Sequence, residues 1–273
     1  MTLTSITLPP INHAILLHTF EITAIAAGQE ILRIYTEGCD FELKDDKSPV
    51  TEADHAAEAI ILAALHRTTP DIPVVAEEEI SGGHVPGDLG ARFYLVDPLD
   101  GTREFVSRNG DFTVNIALIE HGIPVLGVVY APVRGVLFIG GPGGAEEVSI
   151  AEDGSVTARK AIACRTPPNE LIAVASRSHR TPETDAYLED FNIADCVSVG
   201  SSLKFGLLAR GEADIYPRFG RTMEWDTAAG DAVLRAAGGM TLTLDGKPLT
   251  YGRRNQADDA DFANPHFVAR GRL

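Results

Sequence analysis

Apolar residues recur at helical spacing from Ile11 to Tyr35 (INHAILLHTFEITAIAAGQEILRIY), which predicts a long amphipathic helix stopped by Gly38. The charged segment ELKDDKSPVTEAD (42–54) contains Pro49 and predicts a surface loop. Thr51, or the residue before it, then caps a second helix through AAEAIILAALHRT, with acidic residues in the first turn, where the helix dipole favours them. From Ile72 the period becomes that of strands: IPVVAEEE, RFYLVDP, FTVNIALIE, IPVLGVVYAP and GVLFIG. His121-Gly122 is a hairpin signal, so this part is expected to be antiparallel or mixed. GGPGG near residue 140 marks a tight reversal, and the weaker stretch to about residue 168 is where a boundary between lobes is expected.

The second half alternates. LIAVASRS reads as a strand, TPETDAYLEDF as a helix, CVSVGSS as a strand running into a turn, and SLKFGLLARG as a helix. ADIYPRF reads as a strand, WDTAAGDAVLRAAGG as a helix ended by glycines, and MTLTLDGKPL as a closing hairpin. The expected architecture is α/β, a layered αβαβα sandwich. We expect one domain over 1–273, with approximate lobes 1–155, rich in acidic strand ends, and 156–273, rich in basic ones.

Composition narrows the function classes. At 44% hydrophobic and 23% charged the chain is ordinary globular material. No apolar run approaches the roughly 20 residues of a membrane span, and MTLTSITLPP lacks the features of a signal peptide. Three scattered cysteines, Cys39, Cys164 and Cys196, fit reduced thiols, so a cytoplasmic location is expected. The net charge of −16 repels polymeric nucleic acid and anionic lipid, while leaving room for a small anion where a metal inverts the local field.

The chemistry concentrates at element ends. Asp97 closes an apolar strand, Pro98 fixes the turn, and Asp100 can swing back beside the Leu99 carbonyl. These are hard oxygen donors suited to Mg2+ or Mn2+, and Gly101-Thr102 stand where a helix could offer N–H groups to a phosphate. The other reading is a turn with a capping Asp97 and a solvated Asp100, and DPLD alone leaves both open. Glu77, Glu78 and Glu79 end another apolar strand, one of them expected to face water. Asp226 and Asp54 each also read as ordinary acids in a first helical turn. Together these four acidic sites suggest a shared metal centre. Arg177, Arg180, Lys204, Arg218 and Arg221 are basic residues at element ends in the second half. Arg180 and Arg221 read as solvated, whereas Lys204 and Arg218, beside turn residues, suit a second phosphate on the substrate. His179 is the one histidine near these motifs, without zinc-type spacing, and no P-loop or nucleophile elbow is present.

DPLDGT (97–102) and WDTAAG (225–230), with EE ahead of them, resemble the paired signatures of the inositol monophosphatase superfamily, Mg2+-dependent and lithium-sensitive phosphatases. The likeness runs from the first helices to FANPHF. Within the superfamily the chain is similar to the bacterial 3′(2′),5′-bisphosphate nucleotidases, in LVDPLDGTREFVSRNGDFTVNIALIEHGIPVLGVVYAP, ASRSH and VGSSLKFGLLARGEADIYPRFG. Inositol monophosphatases tend to read GTTNF where this chain has GTREF, and lack the pattern of GSSLKF. Arg103, where lysine is common, and Ala76, where glycine or serine is commoner, depart mildly.

The resemblance implies that Glu77, Asp97 and the Leu99 carbonyl hold a first Mg2+, and Asp97, Asp100 and Asp226 a second, and it allows a third, weaker ion. It gives Asp54 and Thr102 the orientation of the attacking water, with Glu77 beside them as a catalytic residue. Glu77, Leu99, Asp100, Gly101, Thr102, Ser176, Arg177, Ser201, Ser202, Lys204, Arg218 and Asp226 become substrate contacts. The implied reaction converts adenosine 3′,5′-bisphosphate to AMP, or its 5′-phosphosulfate analogue to adenosine 5′-phosphosulfate, in sulfur metabolism. Li+ and Ca2+ are implied inhibitors. Alternatives are the same chemistry on inositol monophosphate or fructose 1,6-bisphosphate, and a non-catalytic sensor of phosphonucleotides or metal. The resemblance is compatible with a monomer or homodimer, and with a peripheral position on the cytoplasmic side of the inner membrane.

Overall fold

In a computed structural model that describes residues 10–44, 49–176 and 181–272, the chain folds as five alternating layers. The expected αβαβα sandwich is observed. Helix α1 (His13–Glu37) starts where the Asn12 side chain accepts N–H groups of Ala14 and Ile15, and ends at Gly38, whose φ of 83° only glycine adopts cheaply. By length and composition alone α1 could cross a membrane, which the sequence reading did not expect. Its inner face is instead packed on helix α2 (Glu52–Thr68) and on the sheet beneath. Between the two helices, β1 (Phe41–Leu43) and β2 (Pro49–Thr51) pair antiparallel, where only a loop was expected.

The larger sheet has seven strands in the order β3 (Val74–Ala76), β4 (Arg92–Asp100), β5 (Thr113–Glu120), β6 (Ile123–Ala131), β7 (Val136–Gly141), β8 (Gly144–Ile150) and β9 (Val156–Ile162). Only β3 and β4 are parallel; the other neighbours are antiparallel. His121 and Gly122, both at positive φ, make the expected hairpin between β5 and β6. Strands β8 and β9 extend this sheet through the stretch that the sequence pattern left weak. Both faces are covered, so Tyr94, Val96, Ile116 and Leu118 meet α1 and α2, while Phe93, Leu95, Ala117 and Ile119 enter the central core. That double burial explains why these strands read as nearly continuous apolar runs.

The second sheet has the order β11 (Ile193–Val199), β10 (Leu171–Ser176), β12 (Ile215–Arg218), β14 (Phe267–Arg270) and β13 (Met240–Thr243). The expected closing hairpin is present in short form: the Thr243 N–H donates to the Lys247 carbonyl and the Leu249 N–H to the Thr241 carbonyl, with Leu242 bridged to Pro248. Strand β13 also pairs with β14, which no sequence signal indicated. Two short helices at the ends of β3 and β4, α3 (Glu77–Ser81) and α4 (Thr102–Val106), carry site residues, and α5 (Pro182–Leu188) lies against β12. Between the sheets lie α6 (Leu203–Ala209) and α7 (Glu224–Ala236). Helix α7 sits so close to the larger sheet that a Cβ on Gly127 or Gly140 would come within 2.4 Å of its backbone. This contact fixes where Asp226, in its first turn, can reach.

Candidate active site

In a regular strand residues three apart face opposite ways, which would separate Asp97 from Asp100. Asp97 pairs with Asn115 and Asp100 with Thr113, so three steps along β4 match two along β5. The extra residue is a β-bulge, and through it both aspartates border one cavity of about 440 Å³, with Leu99 between them. Glu77, Gly101, Thr102, Ser176, Ser201, Ser202, Lys204, Arg218 and Asp226 line the same cavity. Asp54 lies behind it, 1% exposed, and joins through Thr102. Arg177, with Arg180 and His179, lies outside the described residues.

Short-range backbone contacts fix one oxygen on several of these acids. Asp97 Oδ1 accepts the Leu99 N–H at 3.0 Å, and Asp226 Oδ2 accepts the Met223 N–H at 2.8 Å. Asp54 Oδ2 accepts the Thr51 N–H at 2.8 Å and the Thr51 hydroxyl at 2.7 Å, completing a capping box at the start of α2. Its other oxygen accepts the Thr102 hydroxyl at 3.1 Å, and that hydroxyl also lies 3.2 Å from the Leu99 carbonyl oxygen. With its proton shared this way, Thr102 Oγ1 keeps lone pairs that can accept a hydrogen from water. Asp100 is held from the other half of the chain: the Ser202 N–H donates to its Oδ2 at 2.6 Å. Ser202 Oγ in turn donates to Asn115 Oδ1 at 2.6 Å and meets Thr113 Oγ1 at 2.7 Å.

The run Glu77–Glu79 does not end a strand. It forms the first turn of α3, where Glu78 is buried and Glu77 and Glu79 are half-buried. The preceding strand contributes only three residues, Val74–Ala76, before the chain turns helical. Lys44 accounts for part of this burial: its ammonium sits 2.7 Å from Glu77 and 2.6 Å from Glu78. Burial works against its charge, yet the two carboxylates hold the Lys44 pKa above the ordinary lysine range.

Burial pushes Asp97 well above the usual carboxylate range, with Glu77, Asp100 and Asp226 adding repulsion. Burial likewise raises Asp226 to about 8 and Asp100 to about 6, the latter restrained by Lys204 and the Ser202 N–H. Such a cluster calls for cations. The donors are carboxylates and the Leu99 carbonyl, with no cysteine or histidine on the cavity wall among the described residues, a set that fits Mg2+ or Mn2+. Among the described residues no three acidic side chains close into a ligand shell as they stand. Like charges repel, and Lys44 engages Glu77, so closing the shell means exchanging that ammonium for an ion.

The opposite wall is basic. Lys204 is 4% exposed and donates to the carbonyls of Ser201 at 2.5 Å and Val199 at 3.3 Å, leaving its third donor free of these bonds. Burial lowers its pKa to about 8. Arg218 is 8% exposed; it donates to the Arg221 carbonyl at 3.2 Å, and its Nε has no partner among the described residues. Arg221, expected to be solvated, is an exposed residue 3.1 Å from Asp259, although it borders the cavity mouth. Sequence reasoning missed Lys44, which no periodicity marks, and the roles of Thr113 and Asn115, which lie inside an apolar strand. It read Ser202 as a substrate contact; the side chain, 2% exposed, is engaged in holding the Asp100 corner.

The chain belongs to the inositol monophosphatase family, whose pattern it matches over residues 14–265. A bulged strand end carrying paired aspartates, set between two sheets and closed by a third aspartate on a buried helix, is the site architecture in this chain. Within the family it is similar to the 3′(2′),5′-bisphosphate nucleotidase CysQ of Escherichia coli K12, with 47% identity over 245 residues, covering 88% of this chain and 94% of that one. Among solved structures it resembles CysQ from Bacteroides thetaiotaomicron, a bacterial member of the family: TM-score 0.79, 38% identity, 97% of this chain and 100% of that one. The Thermotoga maritima inositol monophosphatase shares the fold at 23% identity, with a TM-score of 0.73 over 93% of this chain and 91% of that one.

Proposed function

We propose that the chain is a Mg2+-dependent 3′(2′),5′-bisphosphate nucleotidase that releases phosphate from adenosine 3′,5′-bisphosphate to leave AMP, and accepts the corresponding phosphosulfate. Glu77, Asp97, the Leu99 carbonyl, Asp100 and Asp226 would hold the metal, two ions with room for a third. When bound, Mg2+ supplies charge neutralisation at the phosphoryl group and a lower pKa for the attacking water. Asp54 and Thr102 orient that water: Thr102 Oγ1 accepts a hydrogen bond from it while its own hydroxyl hydrogen is donated to Asp54 Oδ1. Water oxygen bonds to phosphorus as the bond to the ribose oxygen breaks, one proton of the water ends on that oxygen to leave a ribose hydroxyl, and the 5′-phosphate is untouched. Arg218, with Lys204, Ser176 and Ser201, binds that second phosphate.

The observation that carries this reading is Arg218. Its guanidinium is buried at a cavity already crowded with acids, yet it makes no ion pair among the described residues. A buried cation of that kind suits a substrate with an anion beyond the one being cleaved. Inositol monophosphate has no second phosphate for it, and the GTREF and GSSLKF segments favour a nucleotide over fructose 1,6-bisphosphate.

Phosphate release from adenosine 3′,5′-bisphosphate, inositol phosphate and fructose 1,6-bisphosphate, with Mg2+, with EDTA and with millimolar Li+, tests the proposal. Release from the nucleotide that EDTA abolishes and Li+ suppresses is expected. Release mainly from inositol phosphate would overturn the nucleotidase assignment, and release from none would leave the sensor.

A further inference from the structure

Helix α2 carries a second buried acid one turn beyond Asp54. The buried stripe of α2 runs Ala53, Asp54, Ala57, Glu58, Ile61, Ala64 and Leu65, so Glu58 stands on the face that packs inward. It is 5% exposed. Glu58 Oε2 accepts the Glu78 N–H at 2.9 Å and Oε1 accepts the Glu79 N–H at 3.0 Å. These are consecutive amides of the first turn of α3, which otherwise has no side-chain cap, since Ala76 precedes it.

A carboxylate is a costly choice there. Three glutamates occupy that same turn, and a fourth negative charge beside them works against all of them. Only a carboxylate, however, offers two equivalent acceptors in a fork, so it fixes both the height and the rotation of the turn. The residue whose direction this settles is Glu77, immediately before the two clamped amides. A five-residue helix has too few internal bonds to hold that direction alone.

We propose that Glu58 is a positioning residue for metal binding, clamping the first turn of α3 so that Glu77 stands in the cavity with Asp97. Asp54 and Glu58, four residues apart on one helix face, then tie the water-orienting pair and the Glu77 ligand to the same rigid element. This inference rests on the metal site proposed above but not on the nucleotide.

The test is calorimetric titration of the metal-free protein with Mn2+, without substrate, for wild type, Glu58→Ala, Glu58→Gln and Glu52→Gln. Glu58→Ala is expected to weaken Mn2+ binding about 10- to 100-fold, the usual effect of losing a group that orients a ligand. Glu58→Gln, of the same shape but with one acceptor, is expected to weaken it several-fold. Both should regain near wild-type kcat at saturating Mg2+, with substrate KM unchanged. Glu52→Gln removes a charge from the exposed side of the same helix and should leave affinity unaltered; an equal loss there would reduce the effect to general electrostatics and overturn the proposal. Should the alanine variant not fold, the glutamine variant decides: a lowered thermal midpoint with unchanged Mn2+ affinity would make Glu58 a mere brace. Because no nucleotide enters the titration, failure of the nucleotidase reading leaves this result standing.

Discussion

On one wall of the cavity Asp97, Asp100 and Asp226 crowd beside Glu77, the three aspartates with raised pKa values; on the facing wall Lys204 and Arg218 are buried without a carboxylate ion-pair partner among the described residues. Lys204 does lower the pKa of Asp100 through space. A chain built only for stability would join such walls by direct ion pairs. Elsewhere this one does so: Arg165 grips Asp214 and Arg235 grips Asp231. Here the acidic wall has one direct ion-pair partner, Lys44 on Glu77 and Glu78, and among the described residues Asp97, Asp100 and Asp226 meet the basic wall only through space. The space between them therefore fits a metal–phosphate assembly, and the difference locates function where charges are left unpaired.

Changes on the acidic wall should have the largest effects. Asp97→Asn removes a charge that both proposed ions share, and phosphate release is expected to drop by more than about 100-fold at any Mg2+ concentration, several kcal/mol of lost charge stabilisation. Near-normal turnover would dissolve the metal wall. Thr102→Ala should lower kcat by about 100-fold while leaving Mn2+ affinity, read by calorimetry, near wild type. A parallel loss of metal binding would move Thr102 from water orientation to the metal shell.

On the basic wall, Arg218→Ala should act mainly on KM for adenosine 3′,5′-bisphosphate, raising it roughly 10- to 100-fold as a charge-assisted contact is lost. A substrate with one phosphate should notice much less, and equal losses on both would erase the distinction between the walls. The smallest effect is on stability against pH. In the metal-free fold Asp100 and Asp226 titrate near 6 and 8, against 3.8 for an ordinary aspartate. Between those limits the folded state holds protons that the unfolded chain has released, so stability falls as pH rises. The thermal midpoint in EDTA should drop by a few degrees between pH 5 and pH 8, and saturating Mg2+ should remove the slope. A midpoint rising with pH in EDTA would contradict the crowding of the acidic wall.

Legibility in the sequence follows the range of the contacts. The periodicity yields α1, α2, β4 to β7 and α7 because each is a repeat of burial along neighbouring residues. Strand β9 was missed because, exposed along most of its length at the edge of the sheet, it carries no alternation. Asp54, Asp97 and Asp226 could be read from sequence, being held by amides two or three residues away.

The same reasoning marks what sequence alone determined: the layered α/β order, the acidic element ends, and the family to which they belong. Tertiary structure decided how those ends act together. The bulge that turns Asp97 and Asp100 to one side depends on register with β5, and Ser202 holds Asp100 from 102 residues away. Lys44 reaches Glu77 across 33 residues, and Glu58 reaches Glu78 across 20. No local pattern encodes such pairings, because they are fixed by how the sheets and helices pack.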